Sequence, residues 1–200
     1  MTPLSAEKRL AREGALDARA RAHAGGAGAA RQAAGHVLEA MNAARACGTV
    51  SAYLAIRSEI DAMPLMLALS GLRIPVALPV IVGRGQPLGF RLWTPGAPLD
   101  PGPFGTSVPR DGAEVEPDIL IVPMLAFDAR CHRLGYGGGF YDRTIARLRS
   151  RGPVHAFGLA YAGQQMPRLP VEATDMQLDA VVTENGVIRP EQLADEALPG

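Results

Sequence analysis

The sequence predicts an α/β fold: a three-layer sandwich around a mostly parallel central sheet. Three observations lead there. Runs of strand length alternate with stretches of helical period along most of the chain. The run Asp118-Ile-Leu-Ile-Val-Pro123 reads as a buried strand ended by proline. A long glycine-rich loop and a helix follow that strand, and ligands of open α/β sheets sit at the carboxyl ends of strands. The 200 residues, 48% hydrophobic and 20% charged, suit one globular domain spanning the chain.

The elements follow in order. Residues 5–22 read as a helix with Leu4, Leu10 and Leu16 as its sparse apolar side, broken by Gly25 and Gly26. A second, Ala-rich helix covers 27–45, with Val37, Leu38 and Met41 facing inward, and Gly48 ends it. Residues 49–56 read as a strand, since Val50, Tyr53, Leu54 and Ile56 are good β formers. Glu59 opens a helix through Met63, Leu65, Met66 and Leu69, stopped by Gly71. Strands are expected over 75–82 and 88–93, then a long irregular loop, 94–109, rich in Pro and Gly. Such loops in compact domains tend to be functional or mobile. A helix from Phe140 to about Arg151, strands at 154–160 and 180–183, and a frayed tail from Glu191 complete the chain. No internal repeat is present.

Composition narrows the function. A formal net charge of +0 argues against a generic polyanion binder, nucleic acid included. Cys47 and Cys131 are far apart and form no ligand-spaced pair, which disfavours a disulfide framework or a zinc site. No apolar run reaches membrane-spanning length and the N-terminus lacks a signal-peptide core, so the expectation is a cytoplasmic protein without a membrane partner.

The chemistry concentrates in Arg133-Leu134-Gly135-Tyr136-Gly137-Gly138-Gly139-Phe140-Tyr141-Asp142. Glycines let backbone N–H groups turn inward as an anion nest and let a ligand approach closely. The helix starting near Phe140 adds free donors and positive partial charge. Arg133 offers a charge-assisted contact to phosphate, and Asp142 a ligand for a magnesium ion that phosphates share. The segment therefore reads as a nucleotide-phosphate site with its metal ligand. It is no Walker A loop, because no Gly-Lys-Ser/Thr follows, and its distance from the strand excludes a dinucleotide fingerprint. Taken singly, its residues have ordinary readings: a flexible loop, a first-turn acid, packed aromatics.

With its flanks, Asp118-Ile-Leu-Ile-Val-Pro-Met-Leu-Ala-Phe-Asp128 continuing to Arg133-Leu-Gly-Tyr-Gly-Gly-Gly-Phe-Tyr-Asp142-Arg143, this stretch closely resembles the signature of the 5-formyltetrahydrofolate cyclo-ligase family. The resemblance runs from about Lys8 to Glu184. It implies a fold similar to sugar-phosphate isomerases and CoA transferases. It also implies conversion of 5-formyltetrahydrofolate and ATP to 5,10-methenyltetrahydrofolate, ADP and phosphate, with Mg²⁺. By the same resemblance, Lys8 and Arg12 contact ATP, as do Arg133 through Tyr141. Leu54, Glu59 and the stretch Tyr136 to Phe140 contact folate, with or without a polyglutamate tail. Asp142 and Asp175 hold magnesium, and a monomer is implied. Cys131-His132 stands where the family often has Gly-Asn, which puts the build of that turn in question. Ala11 replaces a usual leucine.

The implied chemistry suits these residue types. Phosphoryl transfer to a formyl oxygen needs charge neutralisation and alignment more than covalent help. Lys8, Arg12 and Arg133 supply cations, and Asp142 and Asp175 a metal clamp. Glu59 orients the folate by accepting from an N–H, with a role as base toward N10 left open. Arg133, Lys8 and Glu59 are the candidate catalytic residues. Tyr136 and Phe140 offer faces or edges to the pterin. Asp128 has no role beyond a turn, and Cys131 lacks an activating partner. Two other classes compete: a sugar-phosphate isomerase, which leaves Lys8 and Arg12 without a task, and a non-catalytic folate or nucleotide binder, which needs no pair of metal carboxylates.

Overall fold

A computed structural model describes residues 3–190. Its frame is a seven-stranded sheet in the order β11-β10-β9-β6-β1-β2-β3. The strands are β1 (Val50–Ser51), β2 (Val76–Val80), β3 (Gly89–Trp93), β6 (Ile119–Val122), β9 (His155–Leu159), β10 (Ala180–Thr183) and β11 (Gly186–Ile188). The five inner strands pair parallel, and β3 and β11 close the edges antiparallel. Helices cover both faces, as parallel strands require.

Alternation along the strands assigns the layers. Ile119 and Ile121 point to one face and pack with Val37 and Met41 of α2 (Ala29–Ala43) and Leu65 and Leu69 of α3 (Met63–Gly71). Leu120 and Val122 point to the other and meet Ile145 and Leu148 of α4 (Phe140–Arg149). All four β6 residues are fully buried, so truncating any of them costs about 2–5 kcal/mol. The predicted three-layer sandwich is the observed one.

The chain leaves β1 toward β2 on one side, then returns and leaves β6 toward β9 on the other. β1 and β6 are neighbours, so the strand order reverses between them. Their carboxyl-end loops therefore diverge and open a crevice there. α1 (Pro3–Gly25) packs over this end through Ala15, against Leu125, Ala126, Leu134 and Leu169.

Several expectations are corrected. The first strand is two residues, not eight. One more ladder bond follows, from Ala52 N–H to the Ala77 carbonyl, and then the chain turns in on itself. The Tyr53 hydroxyl donates to the Ile60 carbonyl, and the Glu59 carboxylate accepts the Ile56 N–H. Such side-chain bonds offer the backbone an alternative to strand or helix. Leu54 and Glu59 thus lie in a loop. The helix expected from Glu59 starts at Met63, whose N–H is taken by Asp61 and whose first turn holds Pro64. The stretch 94–109 is not irregular: β4 (Leu99–Pro101) and β5 (Ser107–Pro109) form a hairpin with Phe104 at its tip. Arg133 and Leu134 form β8, which pairs with β7 (Ala126–Phe127) as a small sheet. The tail from residue 191 lies outside the described residues.

The expected apolar face of α1 is met only in part: Leu16 packs inward beside Ala15, but Leu10 does not. Leu10 is 60% exposed, whereas Lys8, Ala15 and Arg19 are buried. The helix turns a charged stripe inward, which an apolar-periodicity reading cannot find.

Candidate active site

One side of the crevice is the glycine loop. Gly137 (φ 95) and Gly139 (φ 62) adopt left-handed backbone that only glycine holds without strain. Gly139 is also the residue before α4, so the open N–H groups of that helix end beside the loop. Arg12 supports the loop from α1: its Nε donates to the Gly135 carbonyl at 2.9 Å, and its guanidinium lies against Gly137, where a Cβ would come within 3.2 Å. Arg143 donates to the Gly138 carbonyl and lies 5.6 Å from the Phe140 ring centre. The tip of the β4–β5 hairpin reaches the same place, with Phe104 6.5 Å from Phe140 and 75% exposed.

Two ion pairs flank this loop. Lys8 Nζ lies 2.6 Å from Asp175 and 3.2 Å from Glu172. Arg133 donates to Asp142 and to the Met176 carbonyl. The Met176 N–H returns to the same Asp142 oxygen at 3.0 Å, so the 172–176 segment joins both pairs. The cations are the covered partners, 9% and 6% exposed, and the carboxylates the open ones, 22% and 25%.

The facing side is the 52–62 loop. Glu59 is 5% exposed, with its Oε1 3.6 Å from Arg19 and its Oε2 accepting from Ile56. Burial pushes its carboxyl up from the ordinary value, opposed by the Ile56 N–H and by Arg19 and Arg57. Burial, with Glu59 nearby, also raises the Tyr53 and Tyr141 phenols; Arg133 pulls Tyr141 the other way. Tyr141 thus feels charge from both sides. Tyr136 reaches across as well, its hydroxyl 2.6 Å from Arg19 Nη2 and its ring 5.7 Å from Arg57.

The fold thus gathers Lys8, Arg12, Arg133, the stretch Gly135–Phe140, Asp142 and Asp175 on one side and Glu59 on the other. Leu134 is buried beneath the loop, facing α1, so among the loop residues it serves the packing. Leu54 is half-buried after β1. Clefts of about 280 and 340 Å³ lie elsewhere, one around Phe157 and Arg189 and one around Phe90 and Arg147, and include none of these residues.

A model of the 5-formyltetrahydrofolate cyclo-ligase family matches residues 4–184. The chain belongs to that family. The Escherichia coli K12 5-formyltetrahydrofolate cyclo-ligase is 36% identical over 148 residues, 70% of this chain and 79% of the relative. The Haemophilus influenzae cyclo-ligase is 34% identical, covering 67% and 74%. The solved Aquifex aeolicus 5,10-methenyltetrahydrofolate synthetase superposes with a TM-score of 0.69 at 25% identity, covering 100% of this chain and 97% of that one. The family name places the chain among ligases of folate one-carbon chemistry, and these findings lend no support to a sugar-phosphate isomerase or a mere binder.

Seen against the cyclo-ligase signature, the Cys131-His132 departure keeps its turn. Cys131 holds φ 59, the left-handed state glycine adopts freely, and Asp128 secures it by accepting the N–H groups of Arg130 and His132, both at 3.1 Å. The expected turn role of Asp128 is what it performs, from a fully buried position. Burial pushes the Cys131 thiol up to about 11, away from a nucleophile's range.

Arg19 and Arg143 were not among the expected site residues. A signal for Arg19 existed: Lys8, Arg12, Ala15 and Arg19 follow at spacings of four, three and four, one face of a helix. Arg143 had no spacing signal beyond its place in the signature.

Proposed function

We propose that this protein converts 5-formyltetrahydrofolate and ATP to 5,10-methenyltetrahydrofolate, ADP and phosphate, as one cyclo-ligase domain. The observation that carries this is the seat of Lys8 and Arg12, on a helix remote in sequence, against Asp175 and the glycine loop. Three cations, open N–H groups and two carboxylates converge there, as a triphosphate demands, while a carboxylate with a neutral option, Glu59, faces them.

In this reading Lys8, Arg12 and Arg133 neutralise the triphosphate and the loop N–H groups hold its γ-phosphoryl in line with the formyl oxygen. That oxygen takes the phosphoryl as the bond to ADP breaks. N10 attacks the activated carbon, its proton leaves, and the carbon–oxygen bond breaks to release phosphate. Glu59 accepts from a folate N–H and fixes the pterin; its raised proton affinity also suits it to receive the N10 proton. Tyr136 and Phe140 line the folate side, with Leu54 beside them.

Asp142 and Asp175 would hold Mg²⁺. Among the described residues no group of three or more potential ligands is placed to cage a metal. Magnesium, however, is commonly held by one or two carboxylates plus phosphates. The second oxygens of both carboxylates have no hydrogen-bond partner among the described residues. When bound, the ion supplies positive charge to the phosphate oxygens. No helix among the described residues is long and apolar enough to cross a membrane, and we place the enzyme in the cytoplasm as a monomer.

The test is near-UV absorbance of the methenyl product, with 5-formyltetrahydrofolate and Mg²⁺, with and without ATP. Product that rises only with ATP is the expected result. No product from folded protein overturns the reading.

A further inference from the structure

Arg19 is the largest fully buried side chain of the described residues, and it is charged. A lone buried guanidinium is costly, so its partners define its task. Nε donates to the Ser58 hydroxyl at 3.2 Å, Nη1 lies 3.6 Å from Glu59 and donates to the Met124 carbonyl at 3.4 Å, and Nη2 donates to the Tyr136 hydroxyl at 2.6 Å. Ser58 and Glu59 belong to the loop after β1, Met124 follows β6, and Tyr136 is in the glycine loop. One planar fork therefore spans the crevice at the point where the sheet reverses. Its Cζ is 5.4 Å from the Tyr136 ring centre, which with the short contact to the hydroxyl puts it at the phenol end of the ring.

We propose that Arg19 is a positioning residue that locks Glu59 and Tyr136 into one register, so that the folate-side loop and the glycine loop hold substrate as a unit. This rests on the cyclo-ligase reading. The substrate carbon and the phosphoryl group must meet within a fraction of an ångström, and the two loops come from different strands. Arg57 meets the Tyr136 ring directly across the gap, and Arg19 adds hydrogen bonds to both loops and to the strand end between them.

The experiment compares wild type, Arg19→Lys, Glu59→Gln, Tyr136→Phe and the Glu59→Gln/Tyr136→Phe double variant, with folding checked by thermal melting. Lysine keeps the charge but not the fork. Arg19→Lys is expected to lose about 10–100-fold in kcat/KM for 5-formyltetrahydrofolate, while KM for ATP stays within about twofold. An arginine of structural value alone would lower the melting temperature and leave the kinetics of folded protein intact, and that result overturns the proposal. In the double variant the losses are expected to be smaller than the product of the single losses, because both act through Arg19. Losses that simply multiply overturn it. Where Arg19→Lys does not fold, this cycle decides alone. If wild type shows no ATP-dependent turnover, the functional reading falls, and the cycle is read on melting temperatures: non-additive shifts support the tie, and additive ones overturn it.

Discussion

The two sides of the crevice carry charge in opposite ways. On the folate side Arg19 and Glu59 are both buried, at 0% and 5% exposure. On the phosphate side only the cations are covered, and Asp175 and Asp142 keep 22% and 25% of their surface. A fully buried pair is held by its own hydrogen bonds, and breaking it strands a charge. A pair with one open carboxylate can trade partners. The first side is therefore fixed architecture, and in the proposed reading the second is an exchange site, where phosphate would take the cations and a metal the carboxylates.

Asp142→Ala strikes the exchange site and should have the largest effect. We expect kcat to fall about 10²–10³-fold, roughly 3–4 kcal/mol of barrier, with the fold retained in thermal melting. Near-normal turnover at saturating Mg²⁺ would remove Asp142 from the metal site and break the contrast.

Glu59→Gln strikes the architecture and should appear in stability. Glutamine keeps an acceptor for the Ile56 N–H but cannot be ionised, so the loss should be modest, about 1–2 kcal/mol. The pH dependence sharpens this. Glu59 has its proton affinity raised in the fold by burial, so its contribution to stability is full below the ordinary value of 4.5 and is lost as pH rises through the higher folded value. The melting advantage of wild type over Glu59→Gln should therefore shrink from pH 4 upward. An advantage that grows with pH would mean that Arg19 outweighs burial at this carboxylate.

Phe104→Ala tests whether the β4–β5 hairpin belongs to the site. Phe104 is exposed at the tip and meets only the tilted Phe140 ring among aromatic partners, so its removal should barely move the melting temperature. We expect KM for 5-formyltetrahydrofolate to rise about fivefold, near 1 kcal/mol. An unchanged KM would leave the hairpin outside the folate side.

How much of this was legible in the sequence follows the same division. The layers, the buried β6 strand and the glycine loop were readable because burial and backbone freedom leave local signatures in residue type. The resemblance named residues on both sides, and the structure brings the glycine-loop set together. The conformation of the facing loop was not readable. Tyr53 and Glu59 look like strand and helix residues, and only bonds to the backbone of their own loop bend the chain otherwise. The hairpin at 94–109 was hidden by its prolines, which sit where edge strands tolerate them. Arg19 was invisible to hydropathy because its burial is compensated by partners 39 to 117 residues away.

The smallest effect probes the helix that serves both sides. Gly14 lies on α1 between Arg12 and Arg19, exposed, with nothing within 4 Å of an added Cβ. Alanine there should stabilise the protein by about 0.5–1 kcal/mol by restricting the unfolded chain, raising the melting temperature by roughly 1–4 °C. Turnover should not change if α1 is a rigid rod that fixes Lys8 and Arg12 relative to Arg19. A variant that melts higher but turns over more slowly would show that the helix yields at Gly14 during the reaction. The exchange side would then move against the fixed one, and the rigid division between them would fail.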